Sequence, residues 1–333
     1  MPKVRSSLGW LCDKCAKELS LEPVPGVHGT NLTTCDHCGV NSWCLPRCDY
    51  KATYKPISLN LACDRKTRAY PTQENTFGLP AGPIEQGGTC PWCTRGPGGC
   101  FHIPKGKKNP VCYAWNIEHI FHGAGEKLRQ NMEEIKRAEK LGTSVLTEAL
   151  NLEVSKFIDK CMGYSVKKGI PAEDLLKFRI HWSGDMFSDS YAKAWAEVCR
   201  RNPIVTFWTY TRSYDRAKFL VGIPNLKLYL SLDEDSWEKG MCAFFALGGP
   251  TNPNLKVAFM SKTEEFVDSC RRKMMDCPER YCPGNAGCVS KWGDLYNAKS
   301  KCPVDLGKME LTGACCKCKM CFSPGKQLLW FKC

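Results

Sequence analysis

The distribution of 24 cysteines constrains this chain more than any other feature. They crowd both ends and one Gly/Pro-rich loop, and only Cys161, Cys199 and Cys242 fall between Cys112 and Cys270. Whether such clusters mean disulfides or metal depends on the compartment. The opening Met1-Pro2-Lys3-Val4-Arg5 has positive charge without an apolar stretch behind it, so it does not read as a secretory signal. No apolar run approaches the ~20 residues of a membrane-spanning helix. The expectation is a cytoplasmic protein without membrane contact, whose closely spaced cysteines bind metal. The three isolated cysteines lie on apolar patterns and read as small core residues.

At 333 residues, 43% hydrophobic and 24% charged, the chain can bury one large core with small satellites. Its formal charge is +13 with thiols neutral. A four-thiolate zinc site or oxidised 4Fe–4S cluster carries about −2. Three such centres would leave the protein at roughly +7, still compatible with a nucleic-acid partner. No Ser/His/Asp arrangement, Walker loop or GxGxxG run is present, which removes the hydrolase, NTPase and dinucleotide-binding readings.

Three regions follow from the cysteine map. Residues 1–50 form a zinc-ribbon-like module, 51–262 an α/β region, and 263–333 a cysteine-rich metal-binding tail. In the first, Cys12-x2-Cys15 and Cys35-x2-Cys38 are separated by 19 residues. Two such knuckles bring four sulfurs into a tetrahedron, the geometry of structural zinc. Cys44, Cys48 and Cys63 could contribute to a second site. In the tail, Cys277, Cys282, Cys288, Cys302, Cys315, Cys316, Cys318 and Cys321 suffice for two further centres, auxiliary clusters or zinc. The Cys277-Pro278 and Cys282-Pro283 pairs favour the ferredoxin type.

The middle region alternates between strand and helix patterns. Helices are expected over 123–141 and 143–161, with Leu128, Met132, Ile135 and Leu141 on one stripe of the first. Strands are expected at 75–79, 177–183, 204–211, 226–232, 242–247 and 256–260, separated mostly by helices at 188–201, 213–221 and 235–240. Such a series implies a parallel sheet, and six units suit a partial (βα) barrel, with an open doubly wound sheet as the alternative. Alternation sets Arg179 and His181 against Phe178 and Ile180, and Lys227, Tyr229 and Ser231 against Leu226, Leu228, Leu230 and Leu232. The polar sets should line the inside of the barrel and a cavity there. Strand carboxyl ends gather function in such folds. Here they bring Cys90, Cys93, Cys100 and Cys112, then Ser183-Gly184-Asp185, Arg212 and Asp233-Glu234-Asp235 to one rim. The acidic run reads as the cap of the following helix.

The segments Leu79-Pro80-Ala81-Gly82, Thr89-Cys90-Pro91, Cys112-Tyr113-Ala114, His181 to Ser188, Phe207 to Ser213 and Cys315 to Phe322 resemble the phage "gene product eighty-eight" family over roughly residues 75–321. The layout is more distantly similar to radical S-adenosylmethionine enzymes. That likeness implies a 4Fe–4S cluster on Cys90, Cys93, Cys100 and Cys112, and S-adenosylmethionine held by Ser183, Gly184, Asp185 and Arg212. It also implies an electron donor as a partner. Those enzymes use three cysteines at CxxxCxxC spacing and keep one iron open. This chain offers four, which would close the cluster. The alternative function is a nucleic-acid-binding or replication-associated protein with structural zinc or iron–sulfur centres, supported by basic charge and aromatic–basic patches such as Tyr210 to Tyr214.

Overall fold

The computed structural model describes residues 9–19, 21–24, 30–46, 50–52, 55–96, 99–261, 265, 269, 308–319, 321–322 and 328–332. The chain starts with β1 (Trp10–Cys12), α1 (Asp13–Glu18), β2 (Leu21–Pro23), β3 (Asn31–Thr34), β4 (Asn41–Pro46) and β5 (Tyr50–Ala52). Strands β1, β4 and β3 make a small antiparallel sheet, and β2 pairs with β5. Leu11, Ala16, Leu19 and Leu45 form a core of their own there, together with buried cysteines.

Next come α2 (Tyr113–Ile120), α3 (His122–Leu141), α4 (Thr143–Lys168) and α5 (Ala172–Leu175). Helix α3 forms because its apolar residues recur at helical spacing; Leu128, Met132 and Ile135 are buried on one stripe. The remainder is β6 (Lys177–Arg179), α6 (Asp189–Arg201), β7 (Thr206–Thr211), α7 (Tyr214–Ala217), β8 (Leu226–Leu232), α8 (Trp237–Ala246), β9 (Leu255–Ser261), α9 (Ala314–Cys318) and β10 (Leu328–Lys332). Helix α6 begins where the Ser188 hydroxyl accepts from the Tyr191 N–H, with Asp189 in its first turn and Arg200 and Arg201 in its last. Cap and end charges all favour a helix there.

The fold is mixed α/β, centred on a curled, half-barrel sheet in the order β10-β9-β8-β7-β6. Every neighbouring pair in it is parallel. The extended segment 75–79 continues the sheet beyond β6 through one parallel bridge, Thr76 to Arg179. The Phe77 N–H donates to the Arg179 carbonyl at 3.2 Å and the Leu79 N–H to the Ser183 carbonyl at 3.0 Å. Regular pairing stops there because Pro80 has no N–H to donate.

Two expectations need correction. Residues 242–247 are not a strand but the second half of α8. Their unbroken apolar run fits a buried helix segment as well as a buried strand. The place beside β9 is taken by β10, from the far end of the chain, where the sequence suggested only a cysteine-rich tail. Helix α8 also turns Cys242 outward, so this cysteine is exposed, while Cys161 and Cys199 are buried as expected.

Alternation sorts the sheet as the sequence implies, except at His181, which lies beyond the end of β6 and is buried with Nε2 2.8 Å from the Tyr191 hydroxyl on α6. Phe178, Phe207, Leu226, Leu228, Leu230, Leu232, Leu255, Val257 and Phe259 join the main core with residues of α4 and α6. Arg179, Trp208, Tyr210, Lys227, Tyr229 and Lys256 occupy the opposite, inner face, in register across the strands. That face is not an empty cavity. Cys321 and Phe322 lie on it: Tyr210 donates to the Cys321 sulfur at 3.2 Å, Tyr229 donates to the Cys321 carbonyl at 3.0 Å, and Phe322 packs edge-on against Trp208. Among the described residues, no helix is long and apolar enough to cross a membrane.

Candidate metal centres

Two knuckles meet in the small amino-terminal sheet. Cys12 ends β1 and Cys15 lies one helical turn on, while Cys35 and Cys38 flank the turn between β3 and β4. The second turn closes through the Gly39 N–H on the Cys35 carbonyl at 2.8 Å. Gly39 holds φ +73 there, a left-handed backbone that suits glycine. The four sulfurs lie within 4.8 Å of one another, close enough to hold a metal. Burial pushes the Cys35 thiol up, but the backbone N–H groups of Cys12, Cys38 and His37 outweigh it and hold the thiol down at about 6. A sulfur that is ionised at neutral pH is what a thiolate ligand requires.

Cys44 packs into the same small core and meets the Thr33 carbonyl at 3.6 Å. Cys63 lies elsewhere, with its sulfur 3.6 Å from the Arg68 guanidinium, so these two do not form the second site the sequence suggested. Cys48 lies outside the described residues. His37 reaches across to the main body, with Nδ1 3.7 Å from the Glu148 carboxylate on α4.

The second group sits at the carboxyl ends of the parallel strands. The loop carrying Cys90, Cys93 and Cys100 leaves the 75–79 segment, and Cys112 stands at the start of α2. The loop is tied down by groups from three strand ends. Thr89 Oγ1 accepts from the Asp185 N–H at 3.0 Å and donates to the Pro80 carbonyl at 2.8 Å. A side chain at Gly184 would place a Cβ 2.6 Å from Thr89 Oγ1 and 2.8 Å from the Leu79 carbonyl, so only glycine allows this approach. Asp185 also accepts from the Thr211 hydroxyl and, at 2.8 Å, from the Arg212 N–H.

Beneath Cys100 lies a buried ion pair between Arg212 and Asp233. The Asp233 carboxylate accepts from the Cys100 N–H at 3.0 Å and the Thr94 hydroxyl at 2.8 Å, and Arg212 donates to the same hydroxyl at 3.0 Å. The Asp235 carboxylate accepts from the Gly96 N–H at 2.9 Å. Asp233 does organise the turn into α8, through Ser236, but its other oxygen serves the cysteine loop. The acidic run is therefore more than a helix cap.

This environment divides the four thiols. A hydrogen bond from Cys93 and the charge of Arg212 hold Cys100 down at about 6, against the effect of burial. Cys93, the donor, is pushed up. Burial raises Cys90 far above the usual thiol range, and raises Cys112 to about 11. Among the described residues, groups of three or more ligand atoms within 4.8 Å of one another occur only in the amino-terminal module. The four rim sulfurs are thus not drawn together as the amino-terminal four are, although Cys93 and Cys100 are hydrogen-bonded to each other.

Glu118 escaped the sequence reading. It is buried on α2, where its carboxylate accepts from the Ala81 N–H at 2.6 Å and the Ser183 hydroxyl at 2.5 Å. It lies six residues after Cys112, a spacing that does not share a helix side, so nothing in the sequence marked it. Of the tail cysteines, Cys315, Cys318 and Cys321 are described and half-buried. Cys277, Cys282, Cys288 and Cys302, and the side chain of Cys316, lie outside the described residues.

These features define a class: an α/β protein with a parallel half-barrel sheet, a cysteine-bearing loop on its carboxyl rim and a tetracysteine group near its amino terminus. The chain belongs to the family described as "Gene product 88", whose model matches residues 51–324. It is 30% identical over 262 residues to the "Gene 88 protein" of Mycobacterium phage L5, covering 77% of this chain and 86% of that one. The same figures hold for the "Gene 88 protein" of Mycobacterium phage D29. No solved structure matches the chain.

Proposed function

We propose that this is an iron–sulfur protein of bacteriophage biology, with a 4Fe–4S cluster on Cys90, Cys93, Cys100 and Cys112 and structural zinc on Cys12, Cys15, Cys35 and Cys38. The observation that carries the reading is the rim itself. Four cysteines meet over a buried cation whose charge favours thiolate at Cys100. The four thiols act on one another electrostatically across the rim, and an all-thiolate set of this kind suits an iron–sulfur cluster. When bound, such a cluster would supply one-electron chemistry, drawing on an electron-donor partner.

The S-adenosylmethionine reading fits the residues less well. Ser183 is bonded to Glu118, Asp185 to Thr211 and the Arg212 backbone, and the Arg212 guanidinium to Asp233 and Thr94. In this reading those groups position the cluster loop, and no step is assigned to S-adenosylmethionine. Anaerobic purification with iron, sulfide and zinc analysis tests the proposal, and a protein that carries zinc alone would end it. Electron paramagnetic resonance of the reduced protein, with and without S-adenosylmethionine, tests the exclusion; a spectrum that responds to the compound would reverse it.

A second reading concerns the amino-terminal module. Leu32 and Trp43 are paired across β3 and β4, and both are exposed, at 61% and 63%. An exposed indole on a basic protein suits stacking on single-stranded nucleic acid. Binding that weakens with salt, and is lost on Trp43→Ala, is the expected result. Salt-independent binding or none would remove this reading.

A further inference from the structure

The tail contains a run whose spacing and placement set it apart from the other cysteines. Cys315, Cys318 and Cys321 follow C-x2-C-x2-C, the interval at which ferredoxin-type runs present three thiolates. Cys315 and Cys318 are one turn apart on α9 and share a side of it. Lys319 then takes a left-handed backbone, φ +57, and turns the chain so that Cys321 arrives on the inner face of the sheet. Two hydrogen bonds fix that turn, from the Lys319 N–H to the Cys315 carbonyl at 2.8 Å and from the Phe322 N–H to the Lys319 carbonyl at 3.0 Å.

A ferredoxin-type run takes its fourth ligand from elsewhere in the chain. Here the loop that follows Cys63 is brought alongside, while the Cys63 thiol itself is exposed, 3.6 Å from Arg68 and 3.8 Å from the Pro71 carbonyl. The Gly313 N–H donates to the Arg65 carbonyl, and the Cys315 N–H to the Lys66 carbonyl, each at 2.8 Å. These bonds pin the loop that follows Cys63 along the start of α9. Asp64, next to Cys63, pairs at 2.9 Å with Arg179 of the inner face, and the Cys315 thiol acts electrostatically on the same guanidinium. Below the run, Tyr210 donates to the Cys321 sulfur. The face therefore presents a half-buried cation and a sulfur-directed hydroxyl towards a run of three half-buried thiols, as expected around a negatively charged centre.

We propose that Cys63, Cys315, Cys318 and Cys321 hold a second iron–sulfur cluster, seated on the inner face of the half-barrel and separate from the rim, with Tyr210 hydrogen-bonded to its Cys321 ligand. This rests on the iron–sulfur reading above. It also gives the inner face a defined occupant, where the sequence suggested a cavity, and gives Cys63 a role.

The test compares the full chain, purified anaerobically, with three variants: Cys90→Ser/Cys93→Ser/Cys112→Ser, Cys315→Ser/Cys318→Ser/Cys321→Ser, and Cys63→Ser. The wild type is expected to hold about twice the iron and sulfide of either triple variant, each of which keeps one reducible paramagnetic signal. Cys63→Ser should alter the signal that survives in the rim variant. Iron absent from the wild type would overturn both readings. Iron lost entirely with the rim cysteines, and kept in full by the tail variant, would overturn the second cluster alone. An unchanged spectrum in Cys63→Ser would remove that residue as the fourth ligand. Tyr210→Phe deletes no ligand, and should keep the iron content while lowering the potential of this centre only. An unchanged potential would overturn the placement against Tyr210.

Discussion

Gly87 and Gly184 have almost the same φ, +83 and +82, yet they face different surroundings. A Cβ added at Gly87 would meet nothing within 4 Å, whereas at Gly184 it would strike Thr89 and the Leu79 backbone. Alanine at Gly87 should cost about 1 kcal/mol, for the left-handed backbone alone. At Gly184 the collision adds to that, for about 2–4 kcal/mol in urea denaturation. Equal losses at the two sites would mean that the loop yields freely at Thr89. Glu118 gives a pH prediction. Burial raises its carboxyl above the ordinary value, despite the bonds from Ser183 and Ala81. A raised folded-state pKa contributes stability that is complete below the unfolded value, near pH 4.3, and is lost as pH climbs through the folded one. Glu118→Gln keeps an oxygen for both donors and removes the ionisation. Wild type and variant should therefore match below about pH 4, and the variant should be the more stable above it.

Among the elements, the clasp between the ends of β7 and β8 carries the clearest consequence. Arg212 and Asp233 are both buried, and Asp233 is held below the ordinary carboxylate range by that guanidinium and by hydrogen bonds, against burial. Arg212→Met strands a buried carboxylate and should cost about 3–5 kcal/mol. Arg212→Met/Asp233→Leu should recover part of that loss, because no charge is left unpaired. The sign for Asp233 is opposite to that for Glu118: its contribution is present above about pH 3.9 and fades as pH falls further. Strand β8 was legible in the sequence because Leu226, Leu228, Leu230 and Leu232 alternate without interruption. The first half of α8 was also expected, at 235–240, but its second half was not, because an apolar run carries no period of its own. Its closeness to the sheet is fixed by Gly240, where a Cβ would lie 1.9 Å from Leu232 Cδ2. The rim cysteines could be placed by the rule that strand ends gather function. Thr94, Glu118 and Asp233 acquired roles only in three dimensions, through bonds such as Thr94 to Asp233 that join positions 139 residues apart.

At the scale of the whole molecule, the amino-terminal module and the main sheet bury separate cores. The smaller one holds few apolar side chains, so a metal held by its four cysteines would supply much of its folding energy. Chelation, or Cys35→Ala, should move the methyl resonances of Leu11, Leu19 and Leu45 to random-coil positions while those of Leu228, Leu230 and Val257 persist. Collapse of both sets together would show one cooperative unit. Strand β10 has a different implication, for the nascent chain. Its partner β9 ends at Ser261, and the residues that cover its edge begin only at Leu328. During synthesis β9 must wait as an open hydrogen-bonding edge while the cysteine-rich stretch between them is made. If that stretch takes up metal, its loading and the closure of the sheet share one interval. A chain cut before residue 328 should pellet from lysate where the full chain stays in solution, which makes the last described strand the guard of an edge formed well before it.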